Sequence, residues 1–221
     1  MTHSHQLEQA LRALRVVPVI TIERAADAAP LGRALTEAGL PVAEVTFRSA
    51  AAADAIAVLR QECPDLLVGA GTVLTTDQLD AAMAAGARFA VAPGFNPAVV
   101  DRALELGFPI VPGVNSPSEI EQGLSRGLRL LKFFPAEPSG GLAFLAAVAP
   151  VYAQVSFMPT GGINRSNLPA YLDRPYVAAC GGSWIASADD ITAGRFDEIR
   201  TRAREAVALA GGPSRDVRTG R

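Results

Sequence analysis

One side chain stands apart chemically. Lys132 is the only lysine among 20 basic residues; every other one is arginine. It sits in Arg129-Leu130-Leu131-Lys132-Phe133-Phe134-Pro135, an apolar, aromatic run that ends at a proline and so reads as a strand. A guanidinium stays protonated and cannot act as an amine nucleophile. Lysine can, once desolvation frees its neutral amine. The bland reading is a lysine snorkelling from a strand end. The sharp reading is a Schiff-base lysine, because lysine is rarely buried without a partner or a task.

Other polar residues fall where they could serve such an amine. In Glu44-Val45-Thr46-Phe47-Arg48 a period of two puts Glu44, Thr46 and Arg48 on one face and Val45 and Phe47 on the other. If the apolar pair packs outward, the polar three point inward, as either a buried structural ion pair or a working site. Gly69-Ala70-Gly71-Thr72 lets backbone or ligand approach closely and adds a hydroxyl; a tight turn explains it equally well. Two glycine pairs, in Pro159-Thr160-Gly161-Gly162-Ile163-Asn164 and in Gly181-Gly182-Ser183-Trp184, have the character of backbone cradles for an anion. Phe134 shares parity with Lys132 and is expected to face the substrate, whereas Phe133 packs outward. His3 and His5, the only histidines, lie in the N-terminal segment. No His, Cys and carboxylate set has metal-ligand spacing, so the expected chemistry needs neither metal nor cofactor.

These residues need a frame that brings them together. Apolar runs of strand type occur at 16–21, 42–47, 66–71, 89–92, 109–112, 129–134, 154–158 and 176–180. Each is followed by a helical pattern, and Ser116-Pro117-Ser118-Glu119 carries a capping box with proline at the first helical position. A further helix over 4–14, with Leu7, Leu11 and Leu14 at helical spacing, precedes the first strand, and Ser4 is its expected N-cap. Strict strand–helix alternation at a pitch of about 20 to 26 residues means a parallel sheet covered by helices. The predicted fold is therefore α/β: a (β/α)8 TIM barrel with an extra N-terminal helix. The runner-up is an open doubly wound sheet. Against it, Gly69-Ala70-Gly71 does not continue into the full dinucleotide fingerprint. In a barrel the site lies at the carboxyl ends of the strands, and the loops after strands seven and eight often hold phosphate. Both glycine pairs fall there.

Composition narrows the classes. With 221 residues, 49% of them hydrophobic, the chain suits one domain over 1–210, followed by a Gly-, Arg- and Ser-rich tail, 211–221, expected to be disordered. A net charge of −2 with mixed signs gives no nucleic-acid footprint. Cys63 and Cys180 are too few and too far apart for a disulfide scaffold. The N-terminus shows no signal-peptide pattern. The longest apolar run, Leu142 to Ala153, is interrupted by Pro150 and too short for a bilayer. A cytoplasmic protein without membrane partners is expected, and Asn164-Arg165-Ser166 reads as a chance match to a glycosylation sequon.

From Val17-Pro18-Val19-Ile20 to Gly181-Gly182-Ser183-Trp184 the sequence resembles the class I 2-keto-3-deoxy-6-phosphogluconate (KDPG) aldolases, also known as 4-hydroxy-2-oxoglutarate aldolases. The blocks that carry the resemblance are Glu44-Val45-Thr46-x-Arg48, Val68-Gly69-Ala70-Gly71-Thr72-Val73-Leu74, Pro93-Gly94, Lys132-Phe133-Phe134-Pro135-Ala136-Glu137 and Pro159-Thr160-Gly161-Gly162-Ile163. The resemblance implies that Lys132 forms the Schiff base and Glu44 is the general acid/base. It implies that Arg48 and Thr72 hold the pyruvyl carboxylate, and that Pro93 and Phe134 shape the pocket. Thr160 would lie beside the aldehyde carbon, with Gly161, Gly162 and Ser183 at the phosphate; Gly181 and Gly182 belong to the same expected cradle. A homotrimer is implied too. Phe47 in place of leucine, and Pro138-Ser139 before Gly140-Gly141, depart from the family pattern without touching this set. The alternatives are an aldolase for the phosphogalactonate stereoisomer and a non-catalytic phosphosugar-binding barrel. The second requires Lys132 and Glu44 to be retained without use.

Overall fold

A computed structural model of the chain describes residues 3–211. Nine short strands form its centre: β1 Val16–Ile20, β2 Val42–Thr46, β3 Leu67–Gly71, β4 Phe89–Val91, β5 Ile110–Val111, β6 Gly113–Val114, β7 Leu130–Phe133, β8 Ser156–Pro159 and β9 Cys180–Gly182. The helices are α1 His3–Leu14, α2 Ala28–Glu37, α3 Ala52–Glu62, α4 Thr76–Ala84, α5 Pro97–Glu105, α6 Pro117–Ser125, α7 Gly141–Val148, α8 Leu168–Leu172, α9 Ala188–Thr192 and α10 Phe196–Leu209.

All strand pairings are parallel. One sheet runs β5-β4-β3-β2-β1-β9 and a second runs β6-β7-β8. Isolated parallel bridges, Phe157 with Val177 and Thr160 with Gly181, tie the β8 side to the β9 side. The result is an α/β fold with a curled parallel sheet under a layer of helices. Every strand residue but Leu67 is buried, as a sheet covered on both faces requires. The largest fully buried side chains include Tyr171, Phe89, Phe133 and Phe157. Phe133 stacks on Phe144 with ring centroids 4.9 Å apart, which places it outward as expected.

Local chemistry sets the helix ends. Thr75 accepts from the Gln78 N–H at 3.2 Å and caps α4. Ser116 caps α6, with Pro117 at the first helical position. The Glu119 carboxylate reaches back to the Ser116 hydroxyl and the Asn115 N–H, at 2.9 and 2.8 Å. Gly39, Gly86 and Gly107 follow α2, α4 and α5 with positive φ, the left-handed termination that glycine makes accessible.

Three expectations need correction. The strand predicted over 109–112 does not end there. Pro112 interrupts the ladder, and the chain resumes as β6, so one segment serves both sheets. The Pro112 carbonyl still accepts from the Lys132 N–H at 2.9 Å. The last strand is not Tyr176–Cys180. Val177 makes only the bridge to Phe157, and the strand proper is Cys180–Gly182, in register with Val16, Val17 and Pro18. Its two glycines disguised it. Ser4 lies inside α1 and does not cap it. α1 packs by Leu7 and Leu11, and Glu8 accepts from the Ser156 hydroxyl at 2.7 Å at the start of β8. The predicted tail lies outside the described residues from 212 onward.

Candidate active site

Lys132 and Glu44 meet. Lys132 Nζ donates to Glu44 Oε1 at 3.2 Å; the lysine side chain is 4% exposed and the glutamate 0%. The strands explain how residues so distant in sequence come together. Glu44 stands on β2 between Val19 of β1 and Gly69 of β3. Lys132 stands on β7 between Gly113 of β6 and Met158 of β8. Both side chains point to the interior of the curl. Every other ion pair among the described residues has at least one partner more than 10% exposed. Glu44 Oε2 is buried too and has no hydrogen-bond partner among the described residues. A buried charge pair with a free acceptor is poor stability engineering and suits a group that must handle a proton. The Phe134 ring lies 5.3 Å from Lys132 Nζ and gives the lysine head an aromatic wall.

The β2 alternation holds for Glu44 and Thr46, but the strand ends at Thr46 and Arg48 lies in the turn beyond it. Thr46 is fully buried: its Oγ1 donates to Ile20 O at 3.0 Å and lies 2.9 Å from Thr21 Oγ1. Arg48, exposed at the strand's end, donates from Nε to that same Thr46 oxygen at 3.2 Å. Thr46 thus orients Arg48, a role that parity alone did not reveal. Thr72 follows β3 with φ of +57°, a left-handed conformation that is unusual for a β-branched residue. Thr72 thus sits in the turn that the sequence suggested, just past the carboxyl end of β3. Pro93 is half-buried after β4. Its carbonyl lies 2.1 Å from where a Cβ on Gly113 would stand, so glycine is required there.

Just past the carboxyl end of β8, Thr160 is 6% exposed and bridges Gly181. A Cβ on Gly181 would fall 2.3 Å from Thr160 Oγ1. Gly161 and Gly162 have φ of +96° and +85°. A Cβ on Gly162 would lie 2.6 Å from Glu137 Cβ. Glu137, to which the sequence assigned no role, thus sits beneath this turn; it accepts a hydrogen bond from Tyr171. Burial, together with that carboxylate, pushes the Tyr171 phenol well above its ordinary range. Gly182 is buried, Ser183 exposed, and a Cβ on Gly182 would crowd the Trp184 indole nitrogen.

A family model described as "Aldolase: KDPG and KHG aldolase" matches residues 7–202. The chain belongs to this aldolase family. A Treponema pallidum (strain Nichols) relative named 2-dehydro-3-deoxy-phosphogluconate aldolase is 51% identical to it over 203 residues, which is 92% of this chain and 97% of the relative. The crystal structure of KDPG aldolase from Legionella pneumophila, with pyruvate captured at low pH as a covalent carbinolamine intermediate, is 42% identical. It superposes with a TM-score of 0.87 over 90% of this chain and 97% of that one. A structure described as native KDPGal is 25% identical, with a TM-score of 0.79 over 88% of this chain and 93% of that one. Among the described residues of this aldolase, no group of three His, Cys, Asp or Glu side chains is arranged to hold a metal, and no helix is long and apolar enough to cross a membrane.

Proposed function

We propose that this aldolase cleaves 2-dehydro-3-deoxy-6-phosphogluconate to pyruvate and glyceraldehyde 3-phosphate through a Schiff base on Lys132. The observation that carries the reading is the buried contact between the chain's sole lysine and Glu44. Neutral Lys132 adds to the C2 ketone and gives a carbinolamine. Protonation of its hydroxyl, with Glu44 as the acid, and loss of water leave an iminium, the electron sink, and Glu44 as the carboxylate. Glu44 takes the C4 hydroxyl proton, directly or through one water, through the oxygen that lacks a protein partner. The C3–C4 bonding pair flows to the iminium, and glyceraldehyde 3-phosphate departs. The enamine takes a proton at C3 from Glu44, and hydrolysis releases pyruvate and the amine. One carboxylate serves both transfers because it changes protonation state between them.

The remaining roles follow position. Arg48 and Thr72 hold the substrate carboxylate, Pro93 and Phe134 wall the carbonyl, and Thr160 flanks the aldehyde carbon. Gly161, Gly162, Gly181, Gly182 and Ser183 cradle the phosphate with backbone amides and one hydroxyl. Unphosphorylated 4-hydroxy-2-oxoglutarate, cleaved to pyruvate and glyoxylate, is a secondary substrate because the lysine chemistry needs no phosphate. The higher identity to the phosphogluconate enzyme supports that series over the galactonate one. We read residues 1–210 as one domain and the two sheets as one closed (β/α)8 barrel, with β5, Pro112 and β6 as a single strand, α1 as the extra N-terminal helix, and the subunit as part of a cytoplasmic homotrimer. Each strand then has two neighbours, which supports closure. A coupled assay of pyruvate release over both C4 epimers and the unphosphorylated acid tests the reading; no pyruvate from any of them overturns it.

A further inference from the structure

The turn after β8 presents three successive carbonyls, and each is tied down. Ala136 N–H donates to Thr160 O at 2.8 Å, and Glu137 N–H donates to Gly161 O at 3.0 Å. Gly162 O is held by side chains: Asn167 Nδ2 donates to it at 3.0 Å and Asn164 Nδ2 at 3.2 Å. A trans peptide holds its N–H opposite its C=O. Fixing the carbonyls of Gly161 and Gly162 therefore aims the N–H groups of Gly162 and Ile163 the other way. Among the described residues neither N–H has an acceptor. With both glycines at positive φ, these amides form part of a concave donor surface of the kind that binds anions.

Asn167 is the odd member of this arrangement. It stands at the N-cap of α8, where asparagine normally accepts from the first turn, yet its side chain makes no capping bond. It turns back instead. Its Oδ1 accepts from the Asn164 N–H at 2.8 Å, which orients the amide so that Nδ2 faces Gly162 O. Asn164 Oδ1 is occupied locally, by the N–H and hydroxyl of Ser166. We propose that Asn167 is a positioning residue for the phosphate end of the substrate: it forgoes its cap to hold the Gly162–Ile163 peptide with its N–H toward the phosphoryl oxygens. The proposal rests on the aldolase reading above and adds a residue that does not itself touch the substrate.

The test compares KM and kcat for the phosphorylated substrate and for unphosphorylated 4-hydroxy-2-oxoglutarate, in wild type, Asn167→Ala and Asn167→Ser. The serine hydroxyl can serve the Asn164 N–H but is too short to reach Gly162 O as well, and it keeps the proposal testable if the alanine variant fails to fold. Both variants should raise KM for the phosphorylated substrate about five- to tenfold, the scale of one lost neutral hydrogen bond, while KM for the unphosphorylated acid stays within about twofold. Borohydride trapping of pyruvate on Lys132 should proceed at the wild-type rate. Folded variants with unchanged KM for the phosphorylated substrate overturn the proposal. So does an equal rise on both substrates, which would make Asn167 a general support of the loop. Gly161→Val separates the two layers: if it raises KM for the phosphorylated substrate and the Asn167 variants do not, the phosphate reading stands and Asn167 falls. If wild type shows no preference for the phosphorylated substrate, both fall.

Discussion

Gly71 owes its identity to Glu44. A Cβ at Gly71 would stand 2.4 Å from Glu44 Oε1 and 2.6 Å from its Cγ. The constraint is space and not backbone conformation, since Gly71 is not among the positive-φ glycines. Gly71→Ala should therefore displace the carboxylate from its 3.2 Å contact with Lys132. We expect kcat to fall about 10²-fold, as for a catalytic group misplaced by an ångström, with a folded protein destabilised by about 1–3 kcal/mol. Steady-state kinetics beside a melting curve check it; unchanged kcat would mean that Glu44 has slack to move.

Glu44→Gln keeps the size and hydrogen bonding of the side chain but removes the proton acceptor. Imine formation with pyruvate should survive, while turnover falls roughly 10²- to 10⁴-fold, the usual scale for a general base. Near-normal turnover would reassign the base.

Much of this site was legible because its chemistry is written in residue types. A solitary lysine in an apolar strand, and polar residues at period two, need no tertiary knowledge to stand out. What stayed hidden depends on hydrogen bonds whose partners lie in other elements. Parity puts Thr46 on the inward face, but its bond to the Ile20 carbonyl appears only once β1 and β2 pair. Asn164-Arg165-Ser166 reads as a chance sequon. The signal beside it is a pair of asparagines, Asn164 and Asn167, three residues apart just beyond Gly161-Gly162-Ile163, both able to reach one carbonyl. Strand limits failed where glycine or proline replaced the usual strand formers, at Pro112 and Gly181-Gly182. The short helix α9, Ala188–Thr192, went unseen because five residues carry no readable periodicity.

Gly161→Val acts at the turn after β8. The position has φ of +96°, and even a Cβ there would lie 3.2 Å from Pro135 Cα and 3.3 Å from the Ala136 nitrogen. The branched side chain should raise KM for the phosphorylated substrate about tenfold or more while moving the unphosphorylated reaction far less, since a β-branched residue is poorly tolerated at positive φ. Equal losses on both substrates would assign the loop to the carbonyl pocket.

Asp190 gives the fold an acid limit away from the site. It accepts from Ser187 Oγ at 2.6 Å and Arg195 Nε at 2.7 Å, and also from Arg202, joining α9 to α10. The Ser187 hydroxyl first, then the two guanidinium groups, hold its carboxyl down at about 2. A depressed folded-state value stabilises the fold above the unfolded value near 4, and the contribution is lost as pH falls from there toward 2. Asp190→Asn should therefore melt below wild type at pH 7, by about 1–3 kcal/mol in stability, with the gap closing between roughly pH 4 and pH 2. A gap that is constant with pH would mean that the contact acts through packing alone.

The sole lysine makes the central claim testable by mass. Incubation with pyruvate and borohydride should reduce the iminium to a stable secondary amine. The only amines available are Lys132 and the α-amino group of the chain. The α-amino group titrates near roughly 8 and reacts without a site to bind the carboxylate, so its labelling should be slow. Lys132 is 4% exposed, walled by Phe134 and in contact with a carboxylate that can carry protons; its labelling should be fast. One adduct is expected, on the peptide spanning Leu130 to Pro135, with activity lost in step. Lys132→Arg should accept no adduct there and release no pyruvate, because its guanidinium stays protonated while still meeting the charge of Glu44. If the arginine variant turns over, or if wild type labels only at its N-terminus, the Schiff base does not form on Lys132, and the buried pair with Glu44 must be given a structural role.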